Sequence, residues 1–351
     1  MSGSQIENAG VDAIDAKCRA LYKDQKGNHF GVKVPYALGG PDPLDQVSVY
    51  ESQSGGIPHW HYITYGLTEL YSKDSDVEEE SGFGFELTFR LENKGEETPP
   101  VWPVSLLQNL ARYVFTSGNV FKANEHMDAN GPLCIGSDTK LTAMGFDIDP
   151  ELGEMDTPYG HVEFIQVIPY TKEELENTML WFGDKFIRLY RKQNPMAVAI
   201  MDRDSYLTIP AFKSEVEEGI EQDGSSTGMF YIDVADMDVR EREGRKYLYF
   251  MIGAKNLTKL ASLLKARLTK GRNFYIQTPA MGIAFEPAEK SAFGKEKEDF
   301  GLIRFSPESL MEFISVPPHK GKYYLKSMPA EIEIIPTVIK DADGNAIETI
   351  E

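Results

Sequence analysis

The alternation of apolar and polar positions is clearest between Ser81 and Phe121 (SGFGFELTFRLENKGEETPPVWPVSLLQNLARYVFTSGNVF). Phe83, Phe85, Leu87, Phe89 and Leu91 alternate with Gly84, Glu86, Thr88 and Arg90, the period of a half-buried strand. A turn containing Pro99, Pro100 and Pro103 opens a helix over Val104–Phe115, where Leu106, Leu107, Leu110, Ala111 and Val114 recur at three- and four-residue spacing.

The same criteria organise the remainder. Val11, Ile14, Cys18 and Leu21 predict a first amphipathic helix, Leu38–Asp45 an irregular loop, Trp60–Tyr65 a strand and Ser72–Ser81 an exposed acidic loop. Ala129–Thr157 mixes Gly, Asp and Pro with scattered apolar residues, and His161–Ile168 returns to strand composition. Leu175, Met179, Phe182, Phe186, Leu189 and Tyr190 predict one helix over Lys172–Lys192, opened by a capping box of Thr171 and Glu174. Ala197–Met201 and Tyr206–Ile209 read as strands and Lys213–Ile220 as a short charged helix. Glu221–Gly228 (EQDGSSTG) is polar and small, the composition of a boundary, and divides the chain into domains 1–224 and 225–351. Beyond it, Met229–Val234, Lys246–Ile252, Asn273–Gln277, Met281–Phe285, Gly301–Phe305 and Glu331–Val338 read as strands, with helices at Leu257–Leu268 and Pro307–Ile314. Strands and helices without a regular βαβ rhythm give an α+β class, two mixed α/β domains.

At 351 residues a division into two domains agrees with the size at which single cores stop growing, about 250–300 residues. Cys18 and Cys134 form no CxxC and no zinc pattern, which fits a reducing compartment. MSGSQIENAG has no basic start or apolar run of a secretory signal, and the longest apolar runs fall below the ~18–20 residues of a membrane span, so a cytoplasmic protein is expected. The formal charge of −19 disfavours nucleic acid and anionic membranes and favours encounter with a basic protein.

Candidate chemistry is sparse. His59 and His61 share one strand face, as some metal sites require, but Glu69 does not complete a two-histidine, one-carboxylate motif. Asp147, Asp149, Glu151, Glu154 and Asp156 read as a solvated acidic loop. Asp341, Asp343 and Asn345 fail as a calcium loop because the sixth-position glycine and the twelfth-position glutamate are missing. Lys259, Lys265, Arg267, Lys270 and Arg272 form a basic run with the spacing of a solvated helix face. No GxSxG, P-loop or GxGxxG motif occurs, so no catalytic residue, metal or cofactor is expected.

Four ordered blocks, Leu38–Asp45 (LGGPDPLD), Pro58–Leu67 (PHWHYITYGL), Ser81–Phe121 and Gly219–Gly228 (GIEQDGSSTG), resemble the suppressor of fused family. The resemblance continues through Arg267–Phe274 and Leu302–Phe313 to Ile332–Val338. It implies a non-enzymatic two-domain protein that grips a partner segment by strand addition in an interdomain cleft. Animal members bind a peptide of a zinc-finger transcription factor. By the same resemblance the edges correspond to Asn119–His126 and Gly228–Val234, and the partner-binding residues to Tyr113, Phe121, Glu125, Met229 and Tyr231. Glu125 stands where animal members have aspartate, Met229 and Tyr231 replace smaller apolar residues, and the long insertion of those members is absent. The chain resembles a bacterial member, which implies an acidic immunity protein that neutralises a toxin. Its partner is then a protein or peptide, with a basic toxin suited to the charge. A metal-dependent enzyme using His59 and His61, and a transcription-factor-binding regulator, are the alternatives.

Overall fold

The computed structural model describes residues 8–34, 36, 39–340 and 346–350. Leu38 of the LGGPDPLD block and the Asp341, Asp343 and Asn345 group lie outside the described residues, as do the first seven residues of the N-terminal stretch. The chain divides into two compact units, Met1–Thr178 with Gly183–Lys213, and Met179–Phe182 with Ser214–Glu351.

The first unit contains α1 (Ala9–Tyr22), β1 (Asn28–Gly31), β2 (Gln46–Ser52), β3 (His59–Tyr65), β4 (Glu80–Glu92), α2 (Trp102–Ser117), β5 (His126–Asp128), β6 (Leu141–Ile148), β7 (Glu154–Thr157), β8 (Gly160–Thr171), α3 (Lys172–Leu180) as far as Thr178, and α4 (Gly183–Gln193). Its sheet runs β1-β2-β3-β4-β8-β6-β5, with β7 added to β8. β4 and β8 pair in parallel, and the other neighbours are antiparallel. Phe85, Leu87, Phe89 and Leu91 of β4 share a buried cluster with Leu107, Leu110, Ala111 and Val114 of α2. The opposite face receives Ile14 and Cys18 of α1, packed with Tyr50, Ile63, Tyr65 and Phe164.

The expectation of a half-buried β4 is corrected here. Glu86, Thr88 and Arg90 on its second face are fully buried, because helices cover both sides of the sheet and the polar side chains find partners inside it. Glu86 accepts from Thr64 Oγ1 at 2.6 Å, Gly66 N at 2.9 Å, Thr68 N at 3.0 Å and Thr68 Oγ1 at 2.7 Å. Burial pushes its carboxyl up to about 7, against the pull of those four donors.

The predicted Lys172–Lys192 helix is two helices, broken at Trp181–Phe182. A Cβ on Gly183, the first residue of α4, would sit 2.3 Å from Asn124 O, so a close backbone approach sets the restart and the apolar spacing does not reveal it. The capping box is present as read: Thr171 N donates to Glu174 Oε2 at 2.8 Å and Glu174 N to Thr171 Oγ1 at 3.2 Å. Ala197–Met201 supplies one isolated bridge, Leu91 to Ala199, and Tyr206–Thr208 is a single 3₁₀ turn capped by Ser205, so neither predicted strand forms. Ala129–Thr157 holds β6 and β7. Beta strands β1 and β2 also lie outside the sequence-based assignments.

Helix α5 (Pro210–Asp223) begins in the first unit and from Ser214 onward belongs to the second. There β9 (Met229–Tyr231), β10 (Ala235–Arg242), β11 (Arg245–Gly253), α6 (Ala254–Leu268), β12 (Phe274–Gln277), β13 (Gly282–Pro287), β14 (Ala292–Lys297), β15 (Phe300–Phe305), α7 (Pro307–Ile314), β16 (Gly321–Leu325), β17 (Ala330–Ile335), β18 (Thr337–Lys340) and β19 (Ala346–Ile350) follow. They form sheets β10-β11-β17-β16 and β14-β15-β13-β12-β9 and the hairpin β18-β19. Phe250 of the first sheet lies 6.0 Å from Phe285 of the second and 5.7 Å from Phe313 of α7, between ring centroids, so one aromatic core joins the two sheets and the helix.

Candidate partner-binding edges

Each unit has an edge strand at or beside a segment that the family resemblance implies as an edge: β5 shares only His126 with Asn119–His126, and β9 lies within Gly228–Val234. In the first unit that edge is β5, next to β6. Helix α2 ends at Gly118, whose φ of 73° reverses the chain. The chain then extends past Phe121 and turns at Asn124, φ 72°. Glu125 Oε2 accepts from Lys122 N at 3.1 Å, its own N–H donates to Lys122 O at 3.2 Å, and its carbonyl accepts from Phe146 N at 2.9 Å. The Glu125 carboxylate is exposed on this turn.

Tyr113 is 40% exposed, and its ring stacks on Phe121 at 5.7 Å. Asn119 Nδ2 donates to its hydroxyl at 3.0 Å. Phe121 is buried, stacked in turn on Phe146 at 4.3 Å. Tyr113 therefore presents a ring to solvent, and Phe121 supports it from the core.

In the second unit β9 is the edge strand, paired in parallel with β12. Gly228 O accepts from Tyr275 N at 2.9 Å and Ile232 N donates to Gln277 O at 3.0 Å. In a parallel ladder the main-chain groups of alternate residues point to alternate sides, so those of Met229 and Tyr231 face away from β12. Their side chains are 47% and 68% exposed. Tyr275 stands directly across from Met229 and is 40% exposed, extending the same patch. The sequence analysis missed it; the signal was the alternation in Phe274–Gln277, where Phe274 and Ile276 point inward and are buried. Phe230, between Met229 and Tyr231, faces the other way, with Lys259 Nζ 4.6 Å from its ring centroid.

His59 and His61 are both buried and have protein partners. His59 Nδ1 is 2.7 Å from Ile57 O, and burial pushes its pKa down to about 4. His61 Nδ1 bonds the Tyr22 hydroxyl, and its Nε2 lies 3.1 Å from Asp149 Oδ2, off the line of a good hydrogen bond. Arg90 Nη1 reaches Asp149 Oδ2 at 2.5 Å, and Nη2 reaches Asp149 Oδ1 at 3.1 Å and Glu151 Oε2 at 2.9 Å. Thr88 Oγ1 donates to Asp149 Oδ2 at 2.8 Å. Burial acts to raise the Asp149 carboxyl, and its interactions with His61 and Arg90 outweigh it and hold it well below the usual carboxylate range. Burial and then Arg90 hold His61 below its ordinary value, so Arg90 is the cation that carries Asp149. The acidic loop is thus only partly solvated: Asp149 belongs to this interior network, and Asp147 pairs with Arg191 at 3.2 Å. Among the described residues, the group with three ligating atoms mutually within 4.8 Å is Glu154, His161 and Glu163, which includes neither His59 nor His61.

Comparison with known proteins places these features in context. The family model described as Suppressor of fused protein matches residues 40–204. Suppressor of fused homolog of Homo sapiens is 42% identical over 236 residues, covering 62% of this chain and 48% of its own length. The chain thus spans about half the length of the curated relatives it matches. The crystal structure of Drosophila Suppressor of Fused superposes with a TM-score of 0.79 over 95% of this chain and 99% of that one, at 20% identity, a likeness of fold. A chain of a Sufu-Fu complex crystal structure superposes with a TM-score of 0.57 at 30% identity, over 62% of this chain and 99% of that one.

Proposed function

The chain belongs to the suppressor of fused family, and on that premise we propose that it is a protein-binding regulator that takes up an extended partner segment by strand addition. The observation that carries this reading is the edge strand β9, whose Met229 and Tyr231 turn main-chain groups away from the sheet and exposed apolar side chains to solvent. Backbone pairing there supplies affinity, and the patch of Met229, Tyr231 and Tyr275 selects side chains. In the first unit, β5 with Tyr113, Glu125 and the supporting Phe121 is the second edge in this proposal. That a neighbouring structure is of a Sufu-Fu complex supports a protein partner.

The charge of −19 supports a basic segment as that partner. A basic toxin, held by an immunity-type protein in the cytoplasm, is the partner class we propose; a transcription-factor segment is the alternative that animal members offer. Neither role requires a catalytic group. No helix among the described residues is long and apolar enough to cross a membrane.

Tyr231→Pro tests the edge. It removes an N–H that points away from β12 and leaves the β9–β12 ladder intact, as proline on an edge strand can. Tyr231→Thr removes the ring and keeps the N–H. Wild type and both variants are used to capture proteins from the source lysate. A protein held by wild type, weakened by Tyr231→Thr and lost with Tyr231→Pro supports strand addition, and its identity separates toxin from transcription factor. A protein held equally by wild type and Tyr231→Pro refutes it.

A further inference from the structure

The register of the β7–β8 hairpin brings together a ligand set that the binding role does not use. Glu154 pairs with Glu163 and Asp156 with His161, so strand alternation puts these four side chains on one face. Met155 and Val162, between them, point the other way: Val162 is buried and Met155 packs against the core of α1. Lys17 Nζ ties the Glu154 carbonyl at 3.1 Å, and Gly160, φ 120°, closes the turn where a Cβ would lie 2.6 Å from the Glu80 carbonyl carbon. The donors therefore stand on an anchored element.

Their chemistry is ordered in the way a metal requires. His161 Nδ1 is 3.0 Å from Asp156 Oδ1, which directs the Nδ1 proton to that carboxylate and makes Nε2 the nitrogen open to a metal when the imidazole is neutral. Nε2 lies 3.7 Å from Glu154 Oε2, beyond a hydrogen bond and near the ~3.4 Å ligand-to-ligand edge of a tetrahedral site with bonds of ~2.0–2.1 Å. Glu163 completes a group whose ligating atoms all lie within 4.8 Å of one another. Glu154 directly opposite Glu163 is a like-charge cross-strand pair, which destabilises a hairpin unless a positive charge, from His161 when protonated or from a bound cation, offsets it. Among the described residues, no lysine or arginine ion pair is made by the carboxylates of Glu154, Asp156 or Glu163.

We propose that this hairpin face binds one divalent transition ion of the zinc class, ligated by His161, Glu154 and Glu163, with Asp156 orienting the imidazole. One nitrogen with carboxylate oxygens suits zinc or manganese better than the all-oxygen shell of calcium or magnesium. The remaining coordination position faces solvent.

The test is titration of the chelator-treated chain with Zn²⁺ at pH 7.5 by calorimetry, in a Cys134→Ser background that removes the partly exposed thiol. One equivalent is expected to bind. His161→Ala should lower affinity at least 100-fold, Glu163→Gln at least tenfold and Asp156→Asn about 10–100-fold, the usual effect of losing an orienting carboxylate. His29→Ala, an exposed histidine on β1, should leave binding unchanged. Absence of binding overturns the proposal. Binding that survives His161→Ala, or that His29→Ala abolishes, overturns it as well.

Discussion

Replacing Arg90 with methionine isolates the buried network of the first unit. Arg90 and Asp149 are at most 1% exposed, and the guanidinium makes two contacts to Asp149 and one to Glu151. Methionine preserves much of the volume and leaves a carboxylate inside the sheet without its cation. Breaking one side of such a pair costs about 3–5 kcal/mol. For a unit of this size, at roughly 2–4 °C per kcal/mol, the melting temperature should fall by roughly 6–20 °C. The pH dependence gives the sharper test. In the wild type the Asp149 carboxyl is depressed, so its contribution is present above the unfolded carboxylate range and lost as pH falls through the folded value. Without Arg90, burial raises that carboxyl. A folded carboxyl value raised above the unfolded one favours the folded variant at low pH. Thermal unfolding of the two proteins followed by tryptophan fluorescence from pH 8 to pH 5 should therefore show a gap that narrows on acidification. Arg90→Met with Asp149→Leu, which replaces the pair by apolar groups, should recover at least half of the loss. A drop below 2 °C, a gap that widens in acid, or no recovery in the double variant would refute this account.

His59, with its pKa pushed down to about 4, contributes stability that is present above about 6.5 and lost as pH falls toward 4; His59→Gln should flatten the unfolding free energy across that window, and an unchanged slope in urea titrations would contradict the assignment. Thr171→Ala removes half of the capping box and should cost ~1 kcal/mol in urea unfolding, with a loss under ~0.3 kcal/mol showing the cap to be idle. A Cβ on Gly219 would stand 2.2 Å from the Trp181 ring, so Gly219→Ala should destabilise by about 1–3 kcal/mol and shift Trp181 emission, whereas an unshifted spectrum would deny that contact.

Local signals were legible where one face of an element decides its fate. The apolar stripes of α1, α2, α6 and α7, the odd positions of β4 and the Thr171–Glu174 box could all be read from neighbours within four residues. What stayed hidden depends on distant partners. The even positions of β4 looked solvent-facing because Asp149, which makes Arg90 tolerable inside, lies 59 residues away. Strand β6 passed as irregular because Gly145 interrupts its apolar alternation; that glycine is required since a Cβ would meet the Tyr170 ring at 2.5 Å. The α3–α4 break was masked because apolar spacing continues across residues packed in different units. At the candidate edges, the family resemblance gave the residues, but Tyr275 needed the β9–β12 register and the burial of Phe121 needed the stack on Phe146.

The two-sided chemistry of β4 also makes its alignment with its neighbours nearly unambiguous. A slip of one residue against β3 or β8 would exchange the two faces, carrying Glu86, Thr88 and Arg90 among Leu107, Leu110 and Val114 and taking Phe85, Leu87 and Phe89 away from them. An ordinary half-exposed strand would lose only its apolar burial in such an error, whereas this one would also strand the Arg90 cation and the Glu86 carboxyl in hydrocarbon without their partners, so misaligned sheets are excluded from both sides at once.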